Sequence, residues 1–78
     1  MSPTILREGP HRFFFYSNEG LEPPHIHVES AEKTAKFWLS PVELARSNRY
    51  NATELRELQD IIQKHERDFI DHWNKFFS

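Results

Sequence analysis

The chain has no cysteine. Disulfides, thiolate metal sites and thiol nucleophiles are therefore excluded. It also lacks any long apolar run. The longest, Phe13–Phe14–Phe15–Tyr16, is far too short to span a bilayer. There is no excess of charge of one sign. Residues 1–40 carry four basic and five acidic side chains, residues 41–78 carry six and seven, and the net charge is −2. With no basic run or stripe, indiscriminate electrostatic binding to nucleic acid is not expected, although a local patch stays open. The N-terminus has neither the charged nor the apolar region of a signal peptide, so the expected location is the cytosol.

What is present suits one small folded domain. Seventy-eight residues bury only about 60% of the surface of the unfolded chain, so the core is thin. Without staples, such a domain relies on dense aromatic packing or on a partner. Aromatics make up 14% and hydrophobic residues 37% of the chain, which favours folding over disorder.

The front half reads as strands. Thr4–Arg7 is a short apolar stretch that ends at the turn signal Glu8-Gly9-Pro10. His11–Ser17 is rich in β-favouring aromatics, Asn18–Pro24 is loop-like, and His25–Ser30 and Thr34–Leu39 read as further strands. Then the period changes. Ser40-Pro41-Val42-Glu43 has the form of a capping box with proline at the first helical position, which predicts a short helix over 40–49. Asn51 caps a second helix. Leu55, Leu58, Ile61, Ile62, Phe69, Ile70, Trp73, Phe76 and Phe77 recur at spacings of three and four, which predicts one long amphipathic helix over 51–77. The expected fold is α+β: an antiparallel sheet of three to four strands within 1–39, with the long helix packed across one face.

Strand alternation sorts the third strand cleanly. Ile26 and Val28 point one way, and His25, His27 and Glu29 the other. Hairpin pairing with Ser17 opposite His25 places Phe13 and Phe15 on the histidine face, and a turn at 30–33 brings Lys36 beside His27 and Trp38 beside His25. Phe14, Tyr16, Ile26, Val28, Ala35, Phe37 and Leu39 then form the seat of the helix. A one-residue slip would exchange the faces.

The candidate site is thus Phe13, Phe15, His25, His27, Lys36 and Trp38. Three chemistries fit, each beside a bland alternative in which the histidines are polar members of a half-exposed sheet. First, His-x-His on a strand can converge two imidazoles on one divalent ion, though zinc needs a third protein ligand. Glu29 is too far along the strand, and Glu22 or His11 reaches the pair only if the loop folds back. Second, His25 or His27 beside Lys36 and a hydroxyl suits acid–base work, as in metal-independent RNA cleavage, with the aromatics stacking bases. Third, an aromatic patch on a charged surface suits a protein partner or a second copy of the chain. His65 and His72 share one stripe of the long helix and are expected to face solvent. The two prolines restrict the backbone before His25, so the strand starts at a rigid edge.

The segments PTI at Pro3–Ile5, HRFFFYSNEG at 11–20, PPHIHV at 23–28, AKFWLSPVELA at 35–45, and Trp73 with Phe76 resemble the bacterial domain of unknown function 4160 family. The resemblance spans nearly the whole chain. It implies a small bacterial protein, of a kind often encoded beside another short gene, an arrangement compared with toxin–antitoxin pairs, and it supplies no catalytic residue. The leading expectation is an interaction module of such a gene pair that acts through the aromatic–histidine face. No cofactor is expected, although a divalent metal stays open. RNA binding with or without cleavage, and metal binding through His25 and His27, are the alternatives.

Overall fold

The computed structural model describes residues 3–78, so residues 1–2 of the expected 1–39 sheet segment lie outside the described residues. Five strands pair in chain order as an antiparallel meander: β1 (Thr4–Glu8), β2 (His11–Phe14), β3 (His25–Ser30), β4 (Lys33–Leu39) and β5 (Val42–Asn48). Two helices follow, α1 (Ala52–Lys64) and α2 (Glu66–Phe76). The class is α+β, as expected, with more strands than the three to four predicted.

Gly9 makes the first hairpin turn, with φ at 58°, a conformation open to glycine at no steric cost. The second tight hairpin runs through Ala31 and Glu32, so Ser30 pairs with Lys33. That short turn sets the register, and His27 lies opposite Lys36 and His25 opposite Trp38, as the sequence suggests.

The predicted helix over 40–49 is instead β5. Ser40 and Pro41 form the turn, Leu39 pairs with Val42, and both of these side chains are buried. Ser-Pro-Val-Glu carries a genuine helix-start signal, but pairing with β4 and burial of Val42 override it. The capping box at Asn51 does form. Its Oδ1 accepts from the Glu54 backbone N–H at 2.8 Å, and Glu54 Oε1 accepts from the Asn51 N–H at 2.9 Å.

The expected single helix over 51–77 breaks at His65, whose backbone leaves the helical region. Residues 63–68 are all polar, so no apolar side chain ties this middle stretch to the sheet. The flanking helices dock separately, α1 through Leu58 and Ile62, α2 through Phe69 and Trp73.

The core lies between the helices and one sheet face. It contains Phe13, Phe15, Ile26, Val28, Phe37 and Leu39, all at most 1% exposed. Phe13 faces Phe69 with ring centroids 5.8 Å apart, and Phe15 packs edge-on against Trp73 at 5.2 Å. This corrects the expected pairing of β2 with β3. Phe14, not Phe15, lies opposite His27, and Phe13 lies opposite Val28. Phe13 and Phe15 are therefore core residues, while Phe14 and Tyr16 sit with the histidines. An unbroken aromatic run has no alternation to mark its faces, so hydrophobic pattern alone does not choose between the two registers.

Candidate functional site

The site is built where the connection from β2 to β3 folds back over the sheet. Residues 15–24 are too many for a tight hairpin. Within them the Glu22 N–H bonds to the Glu19 carbonyl at 3.1 Å, and the Leu39 N–H bonds to the Pro24 carbonyl at 3.0 Å. The first contact makes a turn, and the second fastens the loop's end to β4. Glu19 is thereby carried onto the rings of His25 and His27.

Both imidazoles meet one carboxylate oxygen. His25 Nε2 lies 2.8 Å and His27 Nε2 2.6 Å from Glu19 Oε1. His25 is completely buried, His27 is 6% exposed, and Glu19 is partly buried. On its other side, His25 Nδ1 donates to the Pro23 carbonyl oxygen at 2.9 Å. A carbonyl can only accept, so this contact places the ring proton on Nδ1. In neutral His25, Nε2 is then a lone pair aimed at a carboxylate oxygen. Two acceptors at that distance repel unless a proton or a cation lies between them.

Ring packing holds the two histidines. His25 lies against Trp73 at 4.7 Å and meets Trp38 edge-on at 5.7 Å. His27 stacks on Phe14 at 5.6 Å and meets Tyr16 edge-on at 4.6 Å. Burial lowers the His27 pKa below 6.5, against the opposing pull of Glu19. For Glu19, burial favours the neutral acid, but the hydrogen bonds to His25 and His27 together outweigh it and leave the carboxyl below its ordinary 4.5. The arrangement thus keeps an ionised carboxylate beside an imidazole that resists protonation.

Lys36, although 5% exposed, is satisfied. Its ammonium donates to Glu22 Oε1 at 2.5 Å and lies 4.6 Å from the centre of the Trp38 ring. The same hydrogen bond lowers the Glu22 pKa.

Of the sequence candidates, the structure gathers His25, His27, Lys36 and Trp38 on one face and puts Phe13 and Phe15 on the other. His11 is elsewhere, with Nδ1 3.0 Å from the Tyr50 hydroxyl. His72 is exposed, as expected, whereas His65 is partly buried and stacks on Phe69 at 5.6 Å. Glu19 is the residue that sequence reasoning missed. The only signal was local: an acid between the turn formers Asn18 and Gly20, ahead of two prolines.

Glu19, His25 and His27 offer three donor atoms within 4.8 Å of one another. Seating an ion at about 2.0–2.1 Å from each donor requires the carboxylate to draw back by roughly half an ångström. A side chain on a loop can make that movement. The His25 bond to Pro23 is also the kind of outer contact that orients a metal-binding imidazole.

No helix is long and apolar enough to cross a membrane among the described residues. No curated protein and no solved structure matches the chain. The family model described as a domain of unknown function, DUF4160, matches residues 11–74. That match spans β2 to β5, the loop that bears Glu19, both site histidines and most of α2, and the chain belongs to the DUF4160 family.

Proposed function

We propose that the protein binds a divalent transition-metal ion of the zinc class through His25 Nε2, His27 Nε2 and the Glu19 carboxylate. One observation carries this reading: the Nε2 atoms of two buried imidazoles converge on a single Glu19 oxygen, at 2.8 and 2.6 Å, while His25 Nδ1 is held by the Pro23 carbonyl. A divalent cation would be held by all three donor atoms at once. Imidazole nitrogen with carboxylate suits zinc and its neighbours better than calcium or magnesium, which prefer all-oxygen shells. Three protein ligands leave a coordination position for water or a substrate, the pattern of catalytic rather than structural zinc sites.

The test is native mass spectrometry of untagged protein after exposure to zinc and removal of the excess. One ion per chain is expected, with none in His27→Ala or Glu19→Gln. A wild-type protein that keeps its metal-free mass would end this reading.

A protein-contact reading is favoured by a separate observation. Leu21, on the loop that carries Glu19, is fully exposed, and Tyr16 beside the site is 46% exposed. The same spectra report a second copy of the chain. A dimer that survives in the metal-free protein and dissociates in Leu21→Ser would support the contact, whereas a monomer throughout would remove self-association. Binding to the product of a neighbouring gene stays part of this proposal. It requires a complex that Leu21→Ser weakens when the two proteins are mixed.

A further inference from the structure

Beside His27 the sheet carries a second set of functional groups. Pairing places Phe14, His27, Lys36 and Arg46 in one row across four strands. Thr34 and Asn48 face each other in the next row along β4 and β5. His27, Lys36, Arg46, Thr34 and Asn48, with Tyr16, line a cleft of about 210 Å³. We infer that this cleft binds a phosphate monoester, with Arg46 and Lys36 holding the phosphoryl oxygens.

The first argument is charge. The chain has twelve acidic residues, yet none lines this cleft. Three other surface depressions each include at least one carboxylate: Asp68 and Asp71, Glu66, or Glu29. Lys36 and Arg46 are directly opposed across β4 and β5, an arrangement that destabilises a sheet unless an anion lies near. Glu22 offsets Lys36 alone, and Arg46 makes no ion pair among the described residues.

The second argument is geometry. The register of β4 and β5 shifts just after Lys36, because Phe37 pairs with Leu44 and Ala45 is the extra residue. Such bulges re-aim neighbouring side chains and recur beside binding sites. Here the shift keeps Arg46 on the same face as Lys36. An arginine fork, an ammonium, a threonine hydroxyl and an asparagine amide are the donor set that suits a phosphoryl group.

The third argument concerns size. The overall charge of −2 gives no long-range attraction for a polyanion. Recognition is local, and a cleft of this volume holds one phosphoryl group with part of its ester. A small phosphate monoester fits better than a nucleic acid strand. His27 borders both sites, but this inference does not rest on the metal reading, because the cations that hold the phosphoryl group, Lys36 and Arg46, come from β4 and β5.

The experiment is calorimetric titration of the full chain, in EDTA and separately with zinc, using inorganic phosphate, adenosine 5′-monophosphate and a short single-stranded RNA. Wild type should bind the monophosphate saturably and at least as tightly as phosphate, with RNA no tighter. Arg46→Ala changes an exposed side chain and should weaken binding by about tenfold or more. Arg67→Ala on α2 should leave it unchanged. Three results would overturn the inference: no binding of any probe in EDTA, RNA binding without monophosphate binding, or binding that appears only with zinc and ignores Arg46. The last would assign the phosphate to the ion, and the metal reading would stand without the cleft. Loss of zinc binding with phosphate binding intact would be the converse.

Discussion

The Nδ1 of His25 lies 2.9 Å from the carbonyl oxygen of Pro23. The two prolines before the histidine therefore do more than stiffen the strand's start. They hold a carbonyl where it accepts from Nδ1 of a buried ring, so Nε2 is the atom presented to Glu19. If an ion fills that position, it stabilises the folded state, because the unfolded chain has no assembled site. At a free zinc concentration one hundred times the Kd, the gain is about 2.7 kcal/mol. Thermal unfolding in zinc and in EDTA should differ by roughly 10 °C or more in the wild type. The difference should vanish in His27→Ala. Equal shifts in both proteins would mean that zinc acts elsewhere.

Acid should weaken the fold in two stages. Burial keeps the His27 pKa below 6.5, so the unfolded chain takes up that proton first as pH falls. The stability linked to His27 is full above 6.5 and is lost on going down through the folded value. Glu19 is likewise held below 4.5, with its two histidine bonds outweighing burial. Its contribution is present above 4.5 and disappears below. Both act in the same direction. Urea midpoints of the metal-free protein should fall gently below pH 6.5 and more steeply below 4.5, and His27→Gln should remove the first stage. A midpoint that rises between pH 7 and pH 5 would contradict the assignment.

Phe13 separates a core role from a surface role. It is fully buried against Phe69 on the helix side of the sheet. Phe13→Ala should cost about 3–5 kcal/mol, as large-to-small core changes do. That is much of the stability of so small a domain. Urea denaturation measures it. A loss well under 1 kcal/mol would return Phe13 to the surface.

The same residue shows where reading the sequence succeeds and stops. The facing of His27 with Lys36 and His25 with Trp38 was legible, because β3 alternates and a short turn sets its register with β4. The pairing of β2 was not. Phe13 to Tyr16 are all large and apolar, and the long loop behind them imposes no register. Ser40-Pro41-Val42-Glu43 misled for a different reason, since its local helix signal is real and loses to strand pairing. The existence of the C-terminal helical region was plain from its period, whereas the break at His65 follows from how the two halves dock. Glu19 was invisible because only the folded loop brings it to the histidines.

Asn51→Ala tests the one capping box that does form. The substitution removes the acceptor for the Glu54 N–H. The Glu54 side chain also bonds to Lys33, which ties the start of α1 to the sheet. The expected cost is about 1 kcal/mol, read from urea denaturation, with zinc stoichiometry unchanged. A larger loss with loss of the ion would mean that the start of α1 supports the site, which its position does not suggest.

Gly20 links the helix end to the site. A Cβ at this position would fall 2.6 Å from Phe77 Cδ1. The Phe77 ring is not free to swing away, because it packs on Trp73 at 4.2 Å, on Phe76 at 4.9 Å and on Phe15 at 6.1 Å. In Gly20→Ala the loop therefore yields before the ring does, and Glu19, one residue earlier, moves with it. A ligand displaced by about 1 Å spoils a site that has all its residues present. Zinc affinity should fall by about tenfold or more, while overpacking at the loop costs the fold only about 1–3 kcal/mol. Competition titration against a chelating dye measures the affinity, and urea denaturation in EDTA measures the fold. Unchanged affinity would show that the loop holds Glu19 without help from Phe77. An affinity loss matched by wholesale unfolding would place the effect in the core rather than at the carboxylate.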